Sequence, residues 1–139
     1  MRRSELEHVI RAAAAITNEY EIVVVGSQSL LGSITDPPAA LVESMEADVY
    51  PRQRPDLADL IDGAIGEGSP FHERFGYYAQ GVGPETAVLP AGWESRLVRV
   101  QNPNTDLKIV QPEELSQRIT ALPIPPESRN RLLRWLSAQ

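Results

Sequence analysis

The sequence has no cysteine among its 139 residues. It can build neither a disulfide framework nor a thiolate metal centre, which suits a reducing cytoplasm. Long hydrophobic runs are missing too: no stretch approaches the roughly 18 apolar residues that a membrane span needs. The start, Met1-Arg2-Arg3-Ser4-Glu5, leads into an amphipathic pattern rather than the apolar core of a signal peptide. The expected location is cytoplasmic, with no membrane partner. Lysine is nearly absent, since twelve of the thirteen basic residues are Arg. Arg suits bidentate phosphate recognition, but a GC-rich coding sequence accounts for the excess more readily. The net charge of −6 argues against non-specific binding to a polyanion. With only two histidines, no Ser-His-Asp spacing and no metal-type His pair, hydrolytic triads and zinc chemistry are poor readings.

What is present is an ordinary globular composition, 42% hydrophobic and 23% charged, in a length that makes one domain with a single core. There is no internal repeat and no low-complexity segment. Ser4 and Glu7 form a capping-box pattern, and Leu6, Val9, Ile10, Ala13 and Ile16 keep helical spacing behind them. That predicts a helix from about Ser4 to Thr17. Glu21 to Val25 is a short, continuous, β-branched run of the kind found in strands buried on both faces. Gly26 ends it, and Gln28 to Leu31 reads as the first turn of a short helix.

Met45 to Tyr50 alternates, with Met45, Ala47 and Val49 on one side and Glu46 and Asp48 on the other. Pro55 opens an amphipathic helix carrying Leu57, Leu60, Ile61, Ala64 and Ile65, closed by Gly66 and Gly68. Gly76 to Val82 and Leu97 to Val100 read as two further strands, and Pro112 and Pro126 open two C-terminal helices. The expected fold is α+β, a small mixed sheet with helices on one face and a short C-terminal helical region.

Two pieces carry the candidate chemistry. Glu46 and Asp48 sit two apart on a strand, so both project from one face about 7 Å apart at the Cα level. Two such carboxylates can grip one divalent cation or share a pair about 3.5–4 Å apart. Oxygen-only donors select Mg²⁺ or Mn²⁺. Upstream, the turn at Gly26 lets backbone N–H groups approach a phosphate, and Ser27 adds a hydroxyl. Taken singly, a glycine at a strand end is more often structural, and two acids on a strand face are more often a solvated edge. Their joint occurrence, in this order, points toward phosphoryl transfer.

The Gly26-Ser27 turn followed by Glu46-Ala47-Asp48 resembles the signature of the nucleotidyltransferase (polymerase β-like) fold. The stretches Glu46–Pro51, Asp59–Glu67, Ser69–Glu73 and Gly83–Trp93 are similar to an uncharacterised bacterial family of such proteins, related to nucleotidyltransferase toxins of AbiEii and MenT type. The resemblance covers about Ser4 to Thr105. It implies a nucleotidyltransferase-like core over residues 1–105, followed by a C-terminal helical region over 106–139. It also implies Mg²⁺-dependent transfer of a nucleoside monophosphate from an NTP to an RNA or protein acceptor, with an antitoxin as a further partner.

In these terms Gly26 and Ser27 hold nucleotide phosphates and Glu46 and Asp48 are metal ligands. Glu85, in the Gly83-Pro84-Glu85 turn, is the candidate for the third carboxylate that such sites carry on a neighbouring strand. Two departures from the pattern stand out: a long gap between Ser27 and Glu46, and Glu in place of the commoner first Asp. A third concerns Asn102-Pro103-Asn104-Thr105, which runs almost at once into Asp106-Leu107-Lys108. A lysine-bearing helix of the relatives is therefore expected to be missing at 105/106, either by a true deletion or because a disordered stretch is left out of the sequence there, with Lys108 as its remnant. The alternative expectation is a catalytically impaired nucleotide- or partner-binding module of the same fold. His8 is expected on the surface of the first helix, and His72 in a structural role.

Overall fold

The computed structural model describes residues 1–34, 36–86, 89, 91–102, 105–109, 126, 127, 130 and 134. The first helix, α1, spans Arg3–Thr17 and buries Leu6, Val9, Ile10 and Ala13 along one stripe. The expected Ser4–Glu7 capping box is not formed. Glu7 pairs one turn away with Arg3, at 3.2 Å, and the carboxylate of Glu5 instead accepts the N–H of Arg2 at 2.6 Å. The helix thus starts one residue earlier than the pattern predicted. It ends at Asn18, which adopts the left-handed conformation tolerated best by Gly and Asn.

Strand β1 covers Glu21–Val25. A short 3-10 helix, Ser27–Gly32, forms where a short helical turn was expected and ends at Gly32. Strand β2 covers Glu46–Pro51. Pro55 opens a 3-10 turn, Pro55–Leu57, that leads into α2, Ala58–Ile65. A further helix, α3, Pro70–Phe75, is capped by Ser69 and precedes β3, Tyr78–Gly81. Strands β4, Val98–Asn102, and β5, Thr105–Ile109, follow.

The five strands form one mixed sheet in the order β3-β2-β1-β5-β4. β1 runs antiparallel to β2 and parallel to β5, while β2 and β3 are parallel. The protein is thus a small α+β fold, as its pattern predicted, but the 105/106 boundary is not a break in the sheet. Asn102 pairs with Thr105 in an antiparallel β4–β5 register, so two residues of the sequence separate these strands. Residues 105–109 are a central strand instead of the start of a helical region. The helix expected from Pro112 lies outside the described residues. Pro126, Glu127, Asn130 and Arg134 are helical and exposed, on the stretch expected to form the last helix.

Helices α1 and α2 cover one face of the sheet. There Leu6, Val9, Ile10, Ala13, Ile61 and Ile65 pack on Ile22, Val24, Ala47, Val49 and Ala79, all buried. Each large aliphatic side chain buried this way stabilises the fold by roughly 1.5–3 kcal/mol. Gly81 closes the joint between α2 and the sheet edge: a Cβ there would lie 1.9 Å from the carbonyl oxygen of Ala58. The alternate residues of the same strands face the other way. Val23, Val25 and Tyr50 form a smaller cluster with Ala58 and Val82, against which Leu89 and Trp93 pack.

Candidate functional site

The antiparallel register pairs Val25 with Asp48, so the end of β1 and the acidic strand meet side by side. Directly beyond Val25, Gly26 takes φ 79° and ψ −165°, a backbone region open essentially to glycine alone. A Cβ on Gly26 would lie 3.1 Å from Oδ2 of Asp48. The turn is held in place by Ser29, whose hydroxyl and N–H both donate to the Gly26 carbonyl, at 2.6 and 3.2 Å. Ser27 is exposed at the start of the 3-10 turn, and its Oγ accepts from Nε2 of the buried Gln28 at 3.2 Å. The structure therefore brings three of the expected groups together: the Gly26 turn, Ser27 beside it and the Asp48 carboxylate, whose Oδ1 is buried.

Glu46 lies one step further along the same face. Its Oε2 accepts the hydroxyl proton of Tyr78 at 2.8 Å, and the parallel register sets Tyr78 directly beside it. That hydrogen bond is the main cause that pushes the Tyr78 phenol up to about 12, with burial and the charges of Glu46, Glu67 and Asp48 adding to it. The Tyr78 ring rests on His72, with centroids 4.5 Å apart. His72 is itself pinned: Nδ1 accepts from the N–H of Gly68 at 3.0 Å, and its own N–H donates to Ser69 Oγ at 3.1 Å. Those bonds give His72 the structural role its context suggested. A cleft of about 260 Å³ opens beside Glu46, lined also by Asp62, Gly66, Glu67, Tyr78 and Gln80.

Other expected groups stand apart from this arrangement. β3 ends at Gly81, level with Val49, so Glu85 follows the end of the strand away from Glu46. It is exposed, and its carboxylate folds over Gly83 of its own turn, where a Cβ would meet Oε1 at 2.1 Å. On the face that carries Glu46 and Asp48, β3 contributes their register partners Tyr78 and Gln80 instead of a carboxylate. Lys108 lies in β5, level with Val23. Arg52 pairs with Glu21 at 3.6 Å and Arg54 with Asp56 at 2.8 Å, while Arg74 sits over Phe75.

His8 is not a surface residue. It is half-buried against Phe71, Phe75 and Tyr77, and its Nδ1 lies 2.7 Å from the Tyr77 hydroxyl. Burial, helped by the nearby Arg11 charge, holds its pKa below the ordinary histidine value. The helical repeat gave no hint of this, because the partners arrive from residues 71–77.

Among the described residues no group of three His, Asp or Glu side chains is disposed to hold a metal. The donor set still fits a Mg²⁺ or Mn²⁺ ion of the kind bound by one or two carboxylates with substrate phosphates and water completing the shell. Glu46 and Asp48 project from one face, and one oxygen of Asp48 is already withdrawn from solvent. Tyr78 was not singled out in the sequence. The available signal was parity: in a strand running parallel to Glu46–Pro51, Tyr78 and Gln80 fall on the acidic face.

No protein-family model, curated protein or solved structure matches this chain. Among the described residues no helix is long and apolar enough to cross a membrane.

Proposed function

We propose that this protein is a Mg²⁺-dependent nucleotidyltransferase that moves a nucleoside monophosphate from an NTP to a hydroxyl of an RNA or protein acceptor. The observation that carries the reading is the closeness of the Asp48 carboxylate to Gly26, where an added Cβ would lie 3.1 Å from Oδ2. It sets a close-approach backbone turn, suited to phosphate, beside an acidic strand suited to a hard cation. Glu46 and Asp48 would hold the metal, which supplies charge neutralisation on the triphosphate. Gly26 admits the phosphate chain next to the backbone, and the exposed Ser27 hydroxyl donates to a phosphate oxygen. In the transfer itself the acceptor hydroxyl loses its proton to water as its oxygen bonds to the α-phosphorus, the bond to the bridging oxygen breaks, and pyrophosphate leaves. An antitoxin partner and the polymerase β-like fold belong to the same proposal. Incubation with labelled NTPs, Mg²⁺ and total RNA or protein tests it, and equal labelling by the Asp48→Asn variant would sink it.

A second reading is favoured by a separate observation. Tyr78 and Gln80 occupy the neighbouring-strand positions where a third carboxylate would complete the metal site. On that reading the protein binds a nucleotide or a partner without turnover. Calorimetric titration with ATP, GTP, CTP and UTP separates the two: binding without label transfer supports the second, and transfer excludes it.

A further inference from the structure

Resting on the reading of Glu46 and Asp48 as cation ligands, we propose that Tyr78 is the positioning residue of that site, with its hydroxyl fixing the carboxylate plane of Glu46 for the cation. The Tyr78 hydroxyl donates to Oε2 at 2.8 Å, and this bond engages one oxygen of the carboxylate while Oε1 remains to serve as a ligand. Such a bond matters because a free glutamate on an exposed strand end samples many rotamers, and ordering it opposes metal binding by entropy. A donor fixed beside the carboxylate bears that cost in advance, as outer-shell partners of metal ligands do.

Tyr78 is suited to the task because it is itself immobilised from two sides. Its backbone N–H donates to the Met45 carbonyl at 2.9 Å, so its main chain is tied to the residue preceding Glu46. Its ring rests on His72, and His72 is locked to the Gly68–Ser69 turn by the two hydrogen bonds described above. The turn before α3, His72, Tyr78 and Glu46 thus form one chain of fixed contacts that ends on a carboxylate oxygen. Approach to Glu46 is left open through the adjoining cleft. The same chain explains why a strand that lacks a third carboxylate still contributes to the site: β3 supplies the donor that orients a ligand instead of supplying a ligand.

The test is Mn²⁺ binding to the full chain, followed by electron paramagnetic resonance, for wild type, Asp48→Asn, Tyr78→Phe and His72→Ala, with circular dichroism to check folding. The expected result is measurable Mn²⁺ binding by wild type and its loss in Asp48→Asn. Tyr78→Phe is expected to bind at least about tenfold more weakly, the usual cost of removing an outer-shell hydrogen bond. His72→Ala, which keeps the hydroxyl but frees the ring, is expected to fall between wild type and Tyr78→Phe, and it carries the test alone if Tyr78→Phe does not fold. Wild-type binding that depends on Asp48 but is unchanged or tighter in both Tyr78→Phe and His72→Ala overturns the role of Tyr78 and leaves the metal reading standing. Absence of Mn²⁺ binding in wild type overturns both.

Discussion

The two faces of the sheet are built from the same strands and do opposite things. On the helix-covered face, Ile22, Val24, Ala47, Val49 and Ala79 are each fully buried and wholly apolar. On the other face the intervening residues of β1, β2 and β3 include Glu46, Asp48, Tyr50, Tyr78 and Gln80. The period-2 pleat puts the candidate chemistry on one face only, beside the smaller cluster of Val23, Val25 and Tyr50, with no change of element. One face accepts helices because Ile22, Val24, Ala47, Val49 and Ala79 make it apolar across β1, β2 and β3. The other holds polar groups at the cost of looser cover, to which Leu89 and the segment around Trp93 contribute. What the contrast teaches is that substitutions should sort by parity: odd and even positions of one strand should fail in different assays.

The largest break is expected at the joint between the helix layer and the sheet. Gly81→Ala places a Cβ against the Ala58 backbone, which cannot rotate away, so the variant should lose about 3 kcal/mol in urea unfolding. A wild-type-like midpoint would show that α2 does not pack there. On the open face, Gly26→Ala combines backbone strain of roughly 1–3 kcal/mol with pressure on the Asp48 carboxylate. It should weaken Mn²⁺ binding far more than its unfolding midpoint suggests, and a purely thermal effect with intact binding would erase the contrast between faces.

Tyr50→Phe sharpens the comparison by its small size. The Tyr50 hydroxyl is buried without a hydrogen-bond partner among the described residues, and burial is the main cause that pushes its phenol up to about 12. Removing it should change stability by no more than about 1 kcal/mol, in the stabilising direction. A marked loss would reveal a partner for that hydroxyl.

The smallest effect concerns His8. Its folded pKa lies below the unfolded value, so between the two values the unfolded chain holds more protons. Stability is then full above the ordinary histidine value and declines as pH falls through the folded one. Melting temperatures followed from pH 7 to 5 should fall, and His8→Gln should flatten that part of the profile. An identical slope in both proteins would place the titration elsewhere.

Much of this arrangement was legible in the chain. The β-branched run Ile22–Val25, the alternation through Glu46–Tyr50 and the glycine at position 26 are local signals, and each marks a feature of the sheet that local chemistry decides. Pairing was harder to read. β5 looks polar and short, and only its register beside β1 makes Thr105–Ile109 a central strand. The engagement of Glu46 by Tyr78 depends on a parallel pairing between residues 32 positions apart, which no periodicity reports. His8 was misread for the same reason: a helix repeat ranks burial along one stripe and is blind to aromatic rings that come from residues 71–77.

The central position of β5 also bears on how the chain is made. The strands that carry Glu46, Asp48 and Gly26 leave the ribosome well before residues 105–109. Until those residues are added, β1 is an edge strand, with apolar Ile22–Val25 exposing unpaired N–H and C=O groups. A nascent or truncated chain ending before β4 would hold the candidate site on a three-stranded sheet with a sticky flank, the kind of edge that recruits other strands. Ribosome-stalled chains released before and after residue 109 should therefore differ sharply in aggregation. Among the described strands, the last one synthesised is the one that seals the flank of β1.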